Sequence, residues 1–160
     1  AHRLKAAESW GAVALPADNG REVAAILAAT GGHGVDVAME VAGENQAVEA
    51  AIAAAKPGGQ VILVGIPADD RTSFNASAAR RKGLTIRAVR RMKHTYPRAI
   101  RLVESGLVDV RSLVTHRFPL AQTVEAFAVA QRREGLKILI EPSALRIPPS
   151  EIRIPQSVGD

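Results

Sequence analysis

Two apolar runs in this chain end at, or pass through, a residue with no side chain. Val35-Asp36-Val37-Ala38-Met39-Glu40-Val41-Ala42-Gly43 stops on glycine, and Gln60-Val61-Ile62-Leu63-Val64-Gly65-Ile66 carries one near its end. Short runs of this composition read as strands. The second has no polar alternation, so both of its faces are expected to be buried. In open parallel sheets ligands lie beyond the carboxyl ends of the strands. A glycine there lets a flat ring or a ribose come close to the main chain. Gly43 and Gly65, with Ala42 and Ile66, would form a shallow shelf of backbone groups. The competing reading is that each glycine only releases the chain into a turn.

Other residues offer charge. Arg80, Arg81, Lys82, Arg87, Arg90, Arg91 and Lys93, followed by Arg98 and Arg101, concentrate the basic residues of a chain whose formal net charge is +5. Such a cluster could attract phosphates, on a cofactor or on nucleic acid, or it could be a solvated face. Aromatic residues are almost absent nearby, which argues against a stacking platform for single strands. Asp36 and Glu40 share one strand and are candidates for paired structural acids. His33, His94 and His116 are not at metal-ligand spacing and cysteine is absent, so no metal site is expected in this chain. Lys56-Pro57-Gly58-Gly59 reads as a tight turn into the second run. Methyltransferases of the nucleoside-methionine type use a similar turn, which keeps a methyltransferase-like domain as an alternative.

These residues need a frame. The 160 residues are 47% hydrophobic and 3% aromatic, which suits alanine-faced helices on aliphatic strands in one sizeable core. No apolar run reaches the roughly 18 residues of a membrane span. Absence of cysteine fits a reducing, cytoplasmic setting. Helices are expected over 1–10 (closed by Gly11), 21–29, 45–55, 96–106 and 121–135, and strands over 12–15, 35–43, 60–66, 84–90 and 136–142. The alternation of short strands and helices predicts a parallel, helix-covered sheet. Residues 143–160 repeat Arg-Ile-Pro and read as an extended or disordered tail.

Four stretches then occur together in order: GVDVAMEVAG, KPGGQVILVGIP, KGLTIRAVRRMKHTYPRAIRLVESGLVDVRSLVTHRFPL and GLKILIEP. Together they resemble the C-terminal part of the zinc-dependent medium-chain alcohol dehydrogenases, most of all the sorbitol and xylitol (polyol) group. The resemblance runs over residues 1–142, with TYPRAI and LVTHRFPL as its most specific pieces. It implies an α/β fold. This would be an incomplete Rossmann-type parallel sheet (family strands 3–6) with helices on both faces, plus the C-terminal return segment of the catalytic domain. The implied division is 1–90 for the partial NAD(P)-binding domain, 91–142 for the C-terminal helices and return strand, and 143–160 for the tail.

The resemblance also implies functions by position. Arg3 matches an arginine at the adenosine ribose, Ala42 and Gly43 the strand end beside the nicotinamide ribose, and Val64, Gly65 and Ile66 the backbone of the nicotinamide pocket. Arg91 matches an arginine near substrate and nicotinamide, and Lys137 a cation facing the pyrophosphate. No catalytic residue is matched. The glycine-rich phosphate loop, the ribose acid and the zinc ligands would all precede Ala1, so the sequence is expected to be a fragment. Its cofactor would be NAD or NADP and its substrate a small alcohol or polyol, within a homo-oligomer and without nucleic acid or membrane. A non-enzymatic basic module is the alternative. Arg90-Arg91-Met92 departs from the Phe-Arg-Tyr common in the polyol group and lacks its tyrosine hydroxyl. Without strands 1 and 2, the chain alone is expected to be inactive and to bind cofactor weakly.

Overall fold

The computed structural model of this chain describes residues 2–17 and 20–142. It divides into two compact units, Ala1–Lys93 and His94–Asp160. The tail expected over 143–160 lies outside the described residues.

In the first unit, helix α1 (His2–Ser9) is followed by an irregular segment, then helix α2 (Arg21–Ala29), strand β1 (Val35–Glu40), helix α3 (Asn45–Ala54), strand β2 (Ala55–Leu63), helix α4 (Ala76–Arg81) and strand β3 (Thr85–Ala88). The three strands form one parallel sheet in the order β1-β2-β3. Its core is a cluster of Val48 and Ile52 from α3, Ala55 and Val61 from β2, and Ala79 from α4, with Leu63 and Ile86 packed against it. Ile52 and Val61 are almost wholly buried, at 1% and 0% exposure. Alternation along the strands sends Ala38, Val61 and Ile86, which are register partners, to this helix-covered face.

The odd-numbered residues of β1 point the other way. Val37 and Met39 are exposed, as are Val41, Val64 and Val89 beyond the ends of β1, β2 and β3. The expectation that Gln60–Ile66 would be buried on both faces is therefore corrected. Helices α3 and α4 both pack on one face, and the side chains that alternate away from them stay open. The strand expected over 12–15 is also absent; residues 12–17 have no regular structure. Among the described residues no strand pairs with this segment, and a lone strand would leave its N–H and C=O groups without partners.

Lys56-Pro57-Gly58-Gly59 is not a turn before the strand. It belongs to β2, which begins at Ala55, as a bulge: Val35 pairs with Ala55, but Val37 pairs with Gln60. Within it the Gly58 N–H donates to the carbonyl of Lys82, the residue that caps the C-terminus of α4, at 2.7 Å. Helix α4, not expected from the sequence, starts on Asn75, whose side-chain oxygen accepts the N–H groups of Ser77 and Ala78.

The second unit holds helix α5 (Tyr96–Glu104), strand β4 (Val114–Pro119), a single 3-10 turn at Leu120–Gln122, helix α6 (Thr123–Gln131) and strand β5 (Lys137–Glu141). Strands β4 and β5 pair in parallel. Strand β4 was not expected, although Val-Thr-His-Arg-Phe alternates and its burial alternates with it. Proline in the first turn of α5 and Gly106 past its end, at φ +73°, bound that helix as the sequence suggests.

Candidate functional site

The carboxyl edge of the first unit's sheet is built by the ends of β1 and β2. The Glu40 carbonyl accepts two N–H groups from beyond β2, from Val64 at 2.8 Å and from Gly65 at 3.0 Å. The Glu40 carboxylate turns forward and accepts the Gly43 N–H at 2.7 Å. The two strand ends are therefore joined through one buried acid, 4% exposed. Asp36, the other acid of β1, faces solvent and pairs with Lys56, which the bulge in β2 carries to it. The Lys56 hydrogen bond, reinforced by its charge, holds the Asp36 carboxyl below its ordinary value. Both acids are thus partnered, as the sequence suggests.

Gly43 and Gly65 meet at this edge. A β-carbon on Gly43, at φ +78°, would lie 2.5 Å from the Ile66 carbonyl oxygen, and one on Gly65 would run into the Gly43 nitrogen. These glycines do more than release the chain into turns. Each makes room for the other strand's main chain. The surface a ligand could touch is the outer rim of this crossing: Ala42 is exposed, Val64 is 40% exposed and Ile66 is 71% exposed. Such an apolar rim over fixed backbone suits one face of a flat ring.

The other expected site residues are placed less closely. Arg91 follows the end of β3 by three residues and is exposed; because the strands are parallel, it leaves the sheet at the same edge. Arg3 lies exposed on α1, a helix with no buried residue to fix it against the sheet. Lys137 begins β5 in the second unit. Of the eight expected residues, direct backbone contact joins Gly43, Gly65 and Ile66. Glu40 ties them together, yet from the sequence it reads only as a structural acid, with nothing to show its reach to Gly43.

The basic cluster is partly committed to structure. Lys82 donates to the carbonyls of Ile52, Ala53 and Ala55 at 3.1, 2.7 and 2.8 Å, closing the C-terminus of α3. In the second unit, Ala126, Phe127, Ala130, Ile138 and Ile140 line an apolar hollow of about 90 Å³ with no titratable group. Among the described residues, no three histidine, aspartate or glutamate side chains gather as a metal cradle, and no helix is long and apolar enough to cross a membrane.

A family model described as zinc-binding dehydrogenase matches residues 1–105. The chain belongs to that family. It is 35% identical to the sorbitol dehydrogenase of Bacillus subtilis over 146 residues, which covers 88% of this chain and 41% of that protein. The sorbitol dehydrogenase of Gallus gallus is also 35% identical, over 144 residues, covering 88% of this chain and 40% of the relative. Among solved structures, the alcohol dehydrogenase TADH from Thermus sp. ATN1 superposes with a TM-score of 0.79 at 28% identity, across 88% of this chain and 41% of that one. The chain thus spans about two-fifths of the length of these relatives, and it shares the α/β fold with parallel strands of the solved one.

Proposed function

We propose that this chain forms one wall of the NAD(P) site of an oxidoreductase that converts an alcohol or polyol to a ketone. The observation that carries this reading is the crossing of Gly43 and Gly65 at the carboxyl edge of a parallel sheet, in a chain of the zinc-binding dehydrogenase family. Ala42, Val64 and Ile66 would flank the nicotinamide and its ribose, and Arg91 would stand beside them. Arg3 would serve the adenosine ribose and Lys137 the pyrophosphate, where a cation offsets phosphate charge. Zinc, when bound to the enzyme, would act as Lewis acid on the alkoxide; we assign its ligands, and every catalytic group, to polypeptide outside these 160 residues. A cytoplasmic homo-oligomer is the setting that goes with this reading.

Because the phosphate loop is not in this sequence, the chain by itself should bind NADH in roughly the millimolar range. The test is an amide-resolved NMR titration of the 160-residue chain with NADH. Shifts centred on residues 42–43 and 64–66 are expected. No shift at saturating cofactor, or shifts confined to Arg80–Lys93, would overturn the reading. Micromolar binding would overturn the assignment of the main affinity to polypeptide outside the chain.

A further inference from the structure

Glu40 is the one charged residue with a buried side chain among the described residues. A carboxylate out of water needs hydrogen bonds to stay. Glu40 spends one on the Gly43 N–H at 2.7 Å. Its main-chain carbonyl holds Val64 and Gly65 at the same time. The space where Gly65 would carry a β-carbon is filled by the Gly43 nitrogen and by Glu40 Oε2, the latter 2.6 Å away. Gly43 in turn lies against the Ile66 main chain, with its β-carbon position 2.5 Å from the Ile66 oxygen. One side chain thus governs a stack of three backbone segments, 40, 43 and 65–66, whose outermost member is the exposed Ile66.

We propose that Glu40 is a positioning residue for the cofactor shelf. Its carboxylate holds Gly43, and through Gly43 the Ile66 main chain, in the place where the nicotinamide half of NAD(P) lies. Glu40 does not touch the cofactor in this arrangement. It sets the height and angle of the surface that does. This rests on the cofactor reading above. Without the carboxylate, the Gly43 N–H loses its acceptor, residues 41–44 lose their anchor, and the shelf is no longer preorganised, so binding must order it first.

The test compares the 160-residue chain with its Glu40→Gln and Glu40→Ala variants. Glutamine keeps an acceptor oxygen for the Gly43 N–H, and alanine removes it. Amide hydrogen exchange without ligand should show Gly43 protected in the wild type and in Glu40→Gln, and unprotected in Glu40→Ala. The NADH dissociation constant should rise about tenfold or more in Glu40→Ala and stay within about threefold of wild type in Glu40→Gln. A role confined to stability would lower the melting temperature and leave the dissociation constant of the folded protein unchanged; that result overturns the proposal. So does a Glu40→Gln variant as impaired as Glu40→Ala. No NADH-dependent shift in the wild type sinks the cofactor reading and the proposal together, whereas normal wild-type binding with Glu40→Ala unaffected sinks the proposal alone. Should Glu40→Ala fail to fold, the wild type still decides: Gly43 must exchange well below its unstructured rate and slow further with NADH, and an unprotected Gly43 overturns the proposal.

Discussion

The main-chain nitrogen of Gly43 stands where a β-carbon on Gly65 would be. Two glycines 22 residues apart in the sequence are thereby conditions of one another. A methyl group at either one must displace backbone, which has no rotamer to yield. Gly65→Ala is expected to destabilise the first unit by about 1–3 kcal/mol. Gly43→Ala should cost more, because it adds the strain of φ +78° to the collision with Ile66. Gly83→Ala is the control: φ is +60° there and nothing lies within 4 Å of the added carbon. Urea unfolding followed by circular dichroism should rank the losses Gly43, then Gly65, then Gly83. Equal losses for Gly65 and Gly83 would remove the close-approach account.

Lys82 ends α3 from outside the helix. Its ammonium donates to the Ile52 and Ala53 carbonyls, which the last turn of the helix leaves without intrahelical partners, and to the Ala55 carbonyl just past it. A cation at a helix C-terminus also meets the negative end of the helix dipole. Lys82→Met keeps most of the aliphatic stem and removes the donors, and should lower stability by about 1–2 kcal/mol. Arg81→Met, at the exposed neighbouring position, should stay within about 0.5 kcal/mol. The same denaturation measurement reads both, and a neutral Lys82→Met would return Lys82 to the free basic cluster.

Acid should loosen the β1–β2 bulge. The Lys56 hydrogen bond, then its charge, lowers the folded pKa of Asp36 below its ordinary 3.8. A depressed folded value means the stabilisation is complete above the unfolded value and is lost as pH falls through the folded one. The affected window therefore lies below about pH 4, and neutral solutions should show no effect. Because the pair is open to solvent, salt should erode it further. Asp36→Asn should flatten this part of the acid limb in melting temperature against pH. An unchanged limb would show that the pair contributes nothing.

What could be read in advance divides along physical lines. Helix α2 was legible because Val23, Ile26 and Leu27 form its apolar face locally, and Arg21–Ala29 is the helix that forms. The edge of the sheet was legible as two glycines at strand ends. Which backbone each glycine admits was not, because that depends on a residue distant in sequence. The 12–15 strand shows the reverse failure: its residues favour a strand, but a strand needs a neighbour. The bulge at Lys56–Gly59 was hidden for the same reason, since pairing register is a property of two strands. Glu40 is the clearest case. An acid between methionine and valine is visible, but its forward reach to Gly43 exists only once Gly43 has turned back over the strand end.

The second unit depends on a smaller joint of the same kind. The Thr115 hydroxyl donates to the Lys137 carbonyl at 3.3 Å and accepts the Leu136 N–H at 3.1 Å, so it ties the start of β5 to β4. Gly135 makes this possible, because a β-carbon there would fall 2.6 Å from the threonine oxygen and 2.7 Å from His116 Nδ1. Thr115→Val keeps shape and removes the hydroxyl, leaving the Leu136 N–H without its acceptor; a loss of about 1 kcal/mol is expected. Gly135→Ala attacks the same joint by volume and should cost about 1–3 kcal/mol. In the double variant the losses should fall short of their sum, since both act on one contact and each leaves less for the other to break. A double-mutant cycle read by urea midpoints makes the comparison, and strict additivity would mean that Gly135 is glycine for a reason unconnected with Thr115.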